Sequence, residues 1–163
     1  MPKTIKINII ADPLLSSKII RDYLLTKTPD YLINIGNYIR EDIEINSQNI
    51  IRSIWITPVR GNNLYLTRTL TDSFGAIILF DKENRLSFEA AKAHYHEYRK
   101  IVSSYPPIIL LGINSESETV TTEEGVKLAK ELNVSYYEMF ADEIHVFRNV
   151  LEECSLLILR TNK

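Results

Sequence analysis

The chain has 163 residues, with 19 Lys plus Arg against 21 Asp plus Glu and a single cysteine. That length fills one well-packed core and falls short of two, so residues 1–163 read as a single domain. The near-neutral, mixed charge gives no electrostatic footprint for nucleic acid or an anionic membrane, and one cysteine with no zinc-spaced Cys/His cluster excludes an internal disulfide framework and points to a reducing, cytoplasmic setting.

Ile5 to Ile10 is an isoleucine-rich run of the kind buried on both faces of a sheet, and Ser16 to Lys27 follows with Ile19, Ile20, Tyr23 and Leu24 at helical spacing. Asp12-Pro13 interrupts the apolar start too early for a secretory signal core, and no later stretch reaches the ~20 apolar residues of a membrane span. Tyr38 to Ile45 and Ile50 to Thr57 flank the turn-forming Asn46-Ser47-Gln48-Asn49, which predicts an antiparallel hairpin. Arg40, Glu41, Asp42 and Glu44 suit its first strand to a charged sheet edge.

Ala76 to Phe80 and Pro107 to Ile113 are continuous apolar strands. Between them a helix from about Ser87 to Val102 carries Phe88, Ala91, Tyr95, Tyr98 and Val102 on one stripe. Thr121 and Glu124 have capping-box spacing ahead of a helix through Val126, Ala129 and Leu132. Val134 to Phe140 reads as the last strand, and Ile144 to Leu159 as a helix with Phe147, Leu151, Cys154 and Ile158 on its buried face, where Cys154 serves as a small hydrophobe. The expected fold is an α/β three-layer sandwich with six strands, mostly parallel, and one antiparallel edge hairpin.

That order of elements resembles the Ras superfamily of small GTPases, with its Ras-like P-loop fold, over nearly the whole chain. Ser53-Ile54-Trp55-Ile56-Thr57 is similar to the family's strand ending in Trp-Asp-Thr-Ala-Gly, and Ala76 to Asp81 to its next central strand. Ser87-Phe88-Glu89 resembles the opening of its third helix, and Pro107 to Gly112 its fifth strand. Glu123-Glu124-Gly125, Leu128-Ala129-Lys130 and Tyr137-Glu138 resemble the approach to its last strand.

The chemistry the resemblance implies fails at five places. A phosphate loop needs glycines for backbone wrapping, a lysine on the β and γ phosphates and a hydroxyl on magnesium. The matching residues here are Ala11 to Lys18, with Ala11 and Ser16 at glycine positions, Ser17 at the lysine and Lys18 at the hydroxyl. One step along a helix turns a side chain by ~100°, so Lys18 is expected to point away from any phosphate. Leu14-Leu15 adds branched side chains where the backbone must come close to the ligand.

The magnesium-linked Asp-x-x-Gly resembles Ile56-Thr57-Pro58-Val59, and Arg60-Gly61 stands where a glutamine would orient water. The switch threonine falls near Asn34. The guanine box reads Ile113-Asn114-Ser115-Glu116 and the Ser-Ala-Lys box Phe140-Ala141-Asp142. At ~2 to 5 kcal/mol for each lost charge-assisted contact, these departures together exceed the ~12 kcal/mol of a nanomolar ligand.

Asp12 and Asp81, at the ends of predicted central strands, are also similar to part of the acidic pocket of receiver domains, but paired acids after the first strand and a lysine after the fifth are missing. His94 and His96, two apart on a helix, are expected at the surface on different faces. His145 stands alone.

The resemblance therefore implies a pseudo-GTPase, catalytically inactive and without cofactor or metal, that acts as an interaction or scaffold module for a protein partner. GTPase-like chains and assembly subunits are among the candidate partners. No nucleic acid, membrane anchor or small-molecule substrate is expected, and the end at Lys163 carries no prenylation box. In Rab-like relatives the tryptophan matching Trp55 lies beside the switches, so Trp55, Tyr38 and Arg40 are the partner-binding candidates. The alternative is an atypical guanine-nucleotide switch using Lys18 and Glu116.

Overall fold

A computed structural model describes residues 1–25, 33–34, 38–58 and 68–161. Seven strands form one sheet: β1 (Lys3–Ala11), β2 (Ile33–Asn34), β3 (Tyr38–Ile45), β4 (Gln48–Pro58), β5 (Gly75–Asp81), β6 (Ile108–Asn114) and β7 (Ser135–Phe140). Four helices are described over their whole length, α1 (Pro13–Leu25), α2 (Arg85–Ile101), α3 (Thr122–Leu132) and α4 (Ile144–Thr161), and residues 68–70 are helical as well. The sheet order is β2-β3-β4-β1-β5-β6-β7, parallel from β4 through β7 and antiparallel at β3–β4 and β2–β3. This is the expected Ras-like α/β sandwich, with the two-residue β2 added beyond the six expected strands.

Two apolar layers sandwich the sheet. On one face Ile5, Ile7 and Ile9 of β1 pack with Ile19 and Tyr23 of α1 and with Phe147, Leu151, Cys154 and Ile158 of α4. On the other, Ile10, Ala76, Ile78 and Phe80 pack with Ala91 and Tyr98 of α2 and Leu128, Ala129 and Leu132 of α3. Cys154 is fully buried, which pushes its thiol up to about 12 and makes it an inert core side chain.

Among the described side chains the helix stripes follow the expected residues with one correction, and the Leu24 side chain lies outside the described set. In α3 the buried positions are Gly125, Leu128, Ala129 and Leu132, while Val126 is turned outward by one residue's rotation. Its start is the expected capping box between Thr121 and Glu124, and Asn133 closes it in the left-handed conformation. The hairpin turn is tighter than expected: Asn46 and Ser47 alone form it, both at positive φ, the geometry whose twist matches the flanking strands.

Charge on β3 is split between two faces. Arg40, Asp42 and Glu44 are exposed, as expected of an edge, but Glu41 faces the core and is buried with Arg52 of β4. Arg52 Nη2 lies 2.7 Å and Nε 2.8 Å from Glu41 Oε2, while Nη1 donates to Ser155 Oγ of α4 at 3.2 Å. Tyr23 donates its hydroxyl hydrogen to the other Glu41 oxygen, and burial, followed by the Glu41 charge, raises the phenol's pKa. One buried network thus ties the hairpin to α1 and α4.

Candidate functional site

The carboxyl ends of β1, β5 and β6 lie side by side, where open α/β sheets form their ligand crevices. A cleft of about 780 Å³ opens there, lined by Asp12, Leu15, Lys18, Leu79, Asp81, Glu83, Ala90, His94, Ile113, Asn114 and Ala141 among others. Its shape begins with chain geometry. β1 ends at Ala11 and α1 starts at Pro13, so a single residue, Asp12, connects them. Asp-Pro ahead of a helical pattern is a helix-start signal, because proline tolerates the first helical position and lacks an amide hydrogen there.

The cleft carries three carboxylates, Asp12, Asp81 and Glu83, against the Lys18 ammonium. Asp81 Oδ1 accepts from the Glu83 amide at 2.9 Å, and Glu83 Oε2 accepts from Ser115 Oγ at 3.0 Å. Among the described residues no group of three His, Cys, Asp or Glu side chains is placed to hold a metal ion. Lys18, exposed on the second turn of α1 as expected of a solvated helix lysine, is also among the residues that line the cleft. His94 is corrected: it is half-buried in the wall with Nδ1 unpaired, and burial lowers its pKa, whereas His96 and His145 are exposed.

Beside the cleft sits a feature that sequence reasoning missed. Lys82, just past β5, is 1% exposed, and its Nζ lies 2.9 Å from Glu138 Oε2 and 3.2 Å from Glu118 Oε2. It also donates to Asn114 Oδ1 at 3.0 Å and Thr122 Oγ1 at 3.2 Å. Tyr136 donates its hydroxyl hydrogen to Glu138, and its ring end fits where Gly112 and Gly125 leave space that a β-carbon would fill. Burial pulls the Lys82 pKa down, but the hydrogen bonds and charges of Glu138 and Glu118 outweigh it and leave the pKa raised.

Residues 23–160, most of the chain, match the sequence profile of the Ras family. The chain belongs to the Ras family. It is 26% identical over 121 residues to the Ras-related protein SEC4 of Saccharomyces cerevisiae, covering 69% of this chain and 54% of that protein. It is 26% identical over 95 residues to the GTP-binding protein Rheb homolog of Drosophila melanogaster, covering 56% of this chain and 52% of that one. The chain spans about half the length of these curated relatives.

The Ras-family boxes can now be placed. Ile56, the residue expected to match the magnesium-linked aspartate, is partly buried against the core. Asn114, expected to match the guanine box, accepts from Lys82, and Glu116 is exposed and not among the residues that line the cleft. Of the last box, Ala141 lines the cleft while Phe140 and Asp142 are exposed. Asn34 lies in β2. Val59, Arg60 and Gly61 lie outside the described residues, as do the side chains of Leu14, Ser16 and Ser17.

The three partner-binding candidates meet on the β3–β4 hairpin of this Ras-family domain. Tyr38 stands opposite Trp55 and Arg40 opposite Ser53 in the antiparallel register. Arg40 is exposed and Trp55 half-buried; the Tyr38 side chain lies outside the described set.

Proposed function

We propose that this Ras-family domain has given up guanine-nucleotide chemistry and acts as a protein-interaction module of fixed conformation. The observation that carries the reading is the one-residue connection at Asp12. Backbone amides wrap a phosphate chain only from a loop, and here α1 occupies the residues that such a loop would use. Three supports agree with it. Three carboxylates oppose a polyphosphate electrostatically, Ile56 replaces a metal-linked acid, and Asn114 is committed to Lys82.

Thermal unfolding with and without GTP, GDP, ATP and magnesium tests this. The expected result is an unchanged midpoint with every ligand. A ligand at a hundred times its dissociation constant adds ~2.7 kcal/mol, or about 5 to 10 °C for a domain of this size, and a shift of that order with a guanine nucleotide overturns the proposal. It would favour the second reading, an atypical nucleotide switch, for which Lys18 at the cleft is the supporting observation.

The partner is a protein, met at the β3–β4 hairpin that carries Trp55, Tyr38 and Arg40, in a cytoplasmic setting. Trp55→Ala is expected to abolish or weaken partner capture at least ten-fold, since buried interface tryptophans commonly contribute ~2 kcal/mol or more. Affinity purification of the two proteins side by side, with circular dichroism as a fold check, measures it; undiminished capture by a folded variant rules that face out.

A further inference from the structure

Two polar side chains interrupt the isoleucines of β1. Lys6 and Asn8 are two residues apart in a strand and therefore share a face. Asn8, fully buried, donates from Nδ2 to Thr57 Oγ1 at 2.9 Å and to the Thr69 carbonyl oxygen at 2.8 Å. Lys6 donates from Nζ to the Thr71 carbonyl oxygen at 2.7 Å, and the same ammonium lies 4.3 Å from the centre of the Trp55 ring.

The partners nest in sequence. Trp55 and Thr57 come just before the connection that runs from Pro58 to Arg68; Thr69 and Thr71 come just after it. Asn8 bridges the inner pair, Thr57 with Thr69, and Lys6 bridges the outer pair, Trp55 with Thr71. The returning chain is then held to β1 by its own backbone, with the Phe74 amide donating to the Lys6 carbonyl at 2.9 Å.

We propose that Lys6 and Asn8 are positioning residues, a two-rung staple that pins both ends of this connection to β1 and fixes the Trp55 ring in place without any ligand. Asn8 is not accounted for by packing alone. Its Oδ1 is buried and has no hydrogen-bond partner among the described residues, so the site bears an unsatisfied acceptor in order to present two donors. An apolar residue, like Ile10 next on that face, would fill the space without that penalty. Lys6 likewise contributes by where it reaches, because an ammonium over an indole face is attracted to the ring while its hydrogens remain available to a carbonyl.

The staple deepens the proposed function by explaining how the hairpin face keeps one conformation, but it stands on its own contacts. Its test involves no partner, so its failure and the failure of the Trp55 interface are separate results.

Arg68 is exposed and immediately precedes the inner rung. Tryptic cleavage after it requires that end of the staple to open, so its initial rate in the full chain reads the opening equilibrium. Lys6→Met and Asn8→Leu are each expected to raise that rate about ten-fold, and the double variant no further than the faster single, because the rungs act as one unit. Cleavage at Lys127 and Lys130, on the exposed side of α3, is expected to stay at the wild-type rate. Thr57→Val, close to isosteric, cuts the inner rung from its other side and is expected to match Asn8→Leu. Trp55 is the sole tryptophan, so its emission is expected to shift to the red in Lys6→Met. Wild-type cleavage after Arg68 in folded variants overturns the staple, as does an equal acceleration at Lys127 and Lys130, which marks global unfolding.

Discussion

Replacing Arg52 with methionine lowers the stability of the domain by about 3 to 5 kcal/mol, because it strands the Glu41 carboxylate in the core. Arg52 and Glu41 are 1% and 4% exposed, so water cannot replace the lost guanidinium. Tyr23 still donates to one carboxylate oxygen, but a neutral hydroxyl does not replace the guanidinium's charge. At about 2 to 4 °C per kcal/mol for a chain of this length, the midpoint falls by about 6 to 20 °C. The double variant Arg52→Met with Glu41→Leu recovers most of the loss, since removing both charges removes the desolvation penalty along with the attraction. Thermal melts of the two variants decide between an uncompensated charge, which predicts this rescue, and simple loss of packing, which predicts a double variant at least as weak as the single.

Lys82→Met is the second large effect, at about 2 to 3 kcal/mol. It is smaller because the stranded Glu118 and Glu138 are 34% and 19% exposed and recover some hydration. This variant also changes the response to pH. Burial raises the Glu138 pKa, but the hydrogen bonds from Tyr136, Lys82 and Thr122 and the Lys82 charge outweigh it and hold it below its ordinary 4.5. A depressed carboxylate contributes stability that is present above the unfolded value and lost as pH falls through the folded one. Lys82 is raised above its ordinary 10.5, so its contribution is complete below that value and lost as pH rises through the folded one. Wild-type stability is therefore expected to fall on both sides of the window from 4.5 to 10.5, and Lys82→Met to flatten both slopes. Urea unfolding at a series of pH values measures it; unchanged slopes in the variant would refute the assignment.

These two clusters also mark where the sequence stopped being readable. The long strands themselves, a turn within Asn46-Ser47-Gln48-Asn49, the Thr121–Glu124 box and the Cys154 stripe rest on neighbours a few residues apart, which periodicity and turn chemistry report directly. Lys82 follows an apolar strand and looks like a solvated turn residue; its carboxylates lie 36 and 56 positions away, and no local pattern joins them. Glu41 looked like an edge charge because its own strand is polar, and only the pairing with Arg52 across the hairpin turns it inward. Asn8 was absorbed into an apolar run. At the cleft the signal was present in Asp12-Pro13, but a motif frame laid over Ala11 to Lys18 hid the helix start within it.

If the domain has given up nucleotide chemistry as proposed, that helix start bears on how far it stands from nucleotide-binding members of its family. Had the loop kept its path and lost only side chains, restoring one or two of them would recover binding step by step. With α1 beginning at Pro13, a lysine installed at Ser17 arrives on a helical turn, and a glycine at Ser16 merely weakens a helix. No single replacement is rewarded, because each gains value only after the backbone has been rebuilt. On the function proposed above, the change behaves as a one-way step in the history of the chain, separated from its reversal by intermediates that gain no binding.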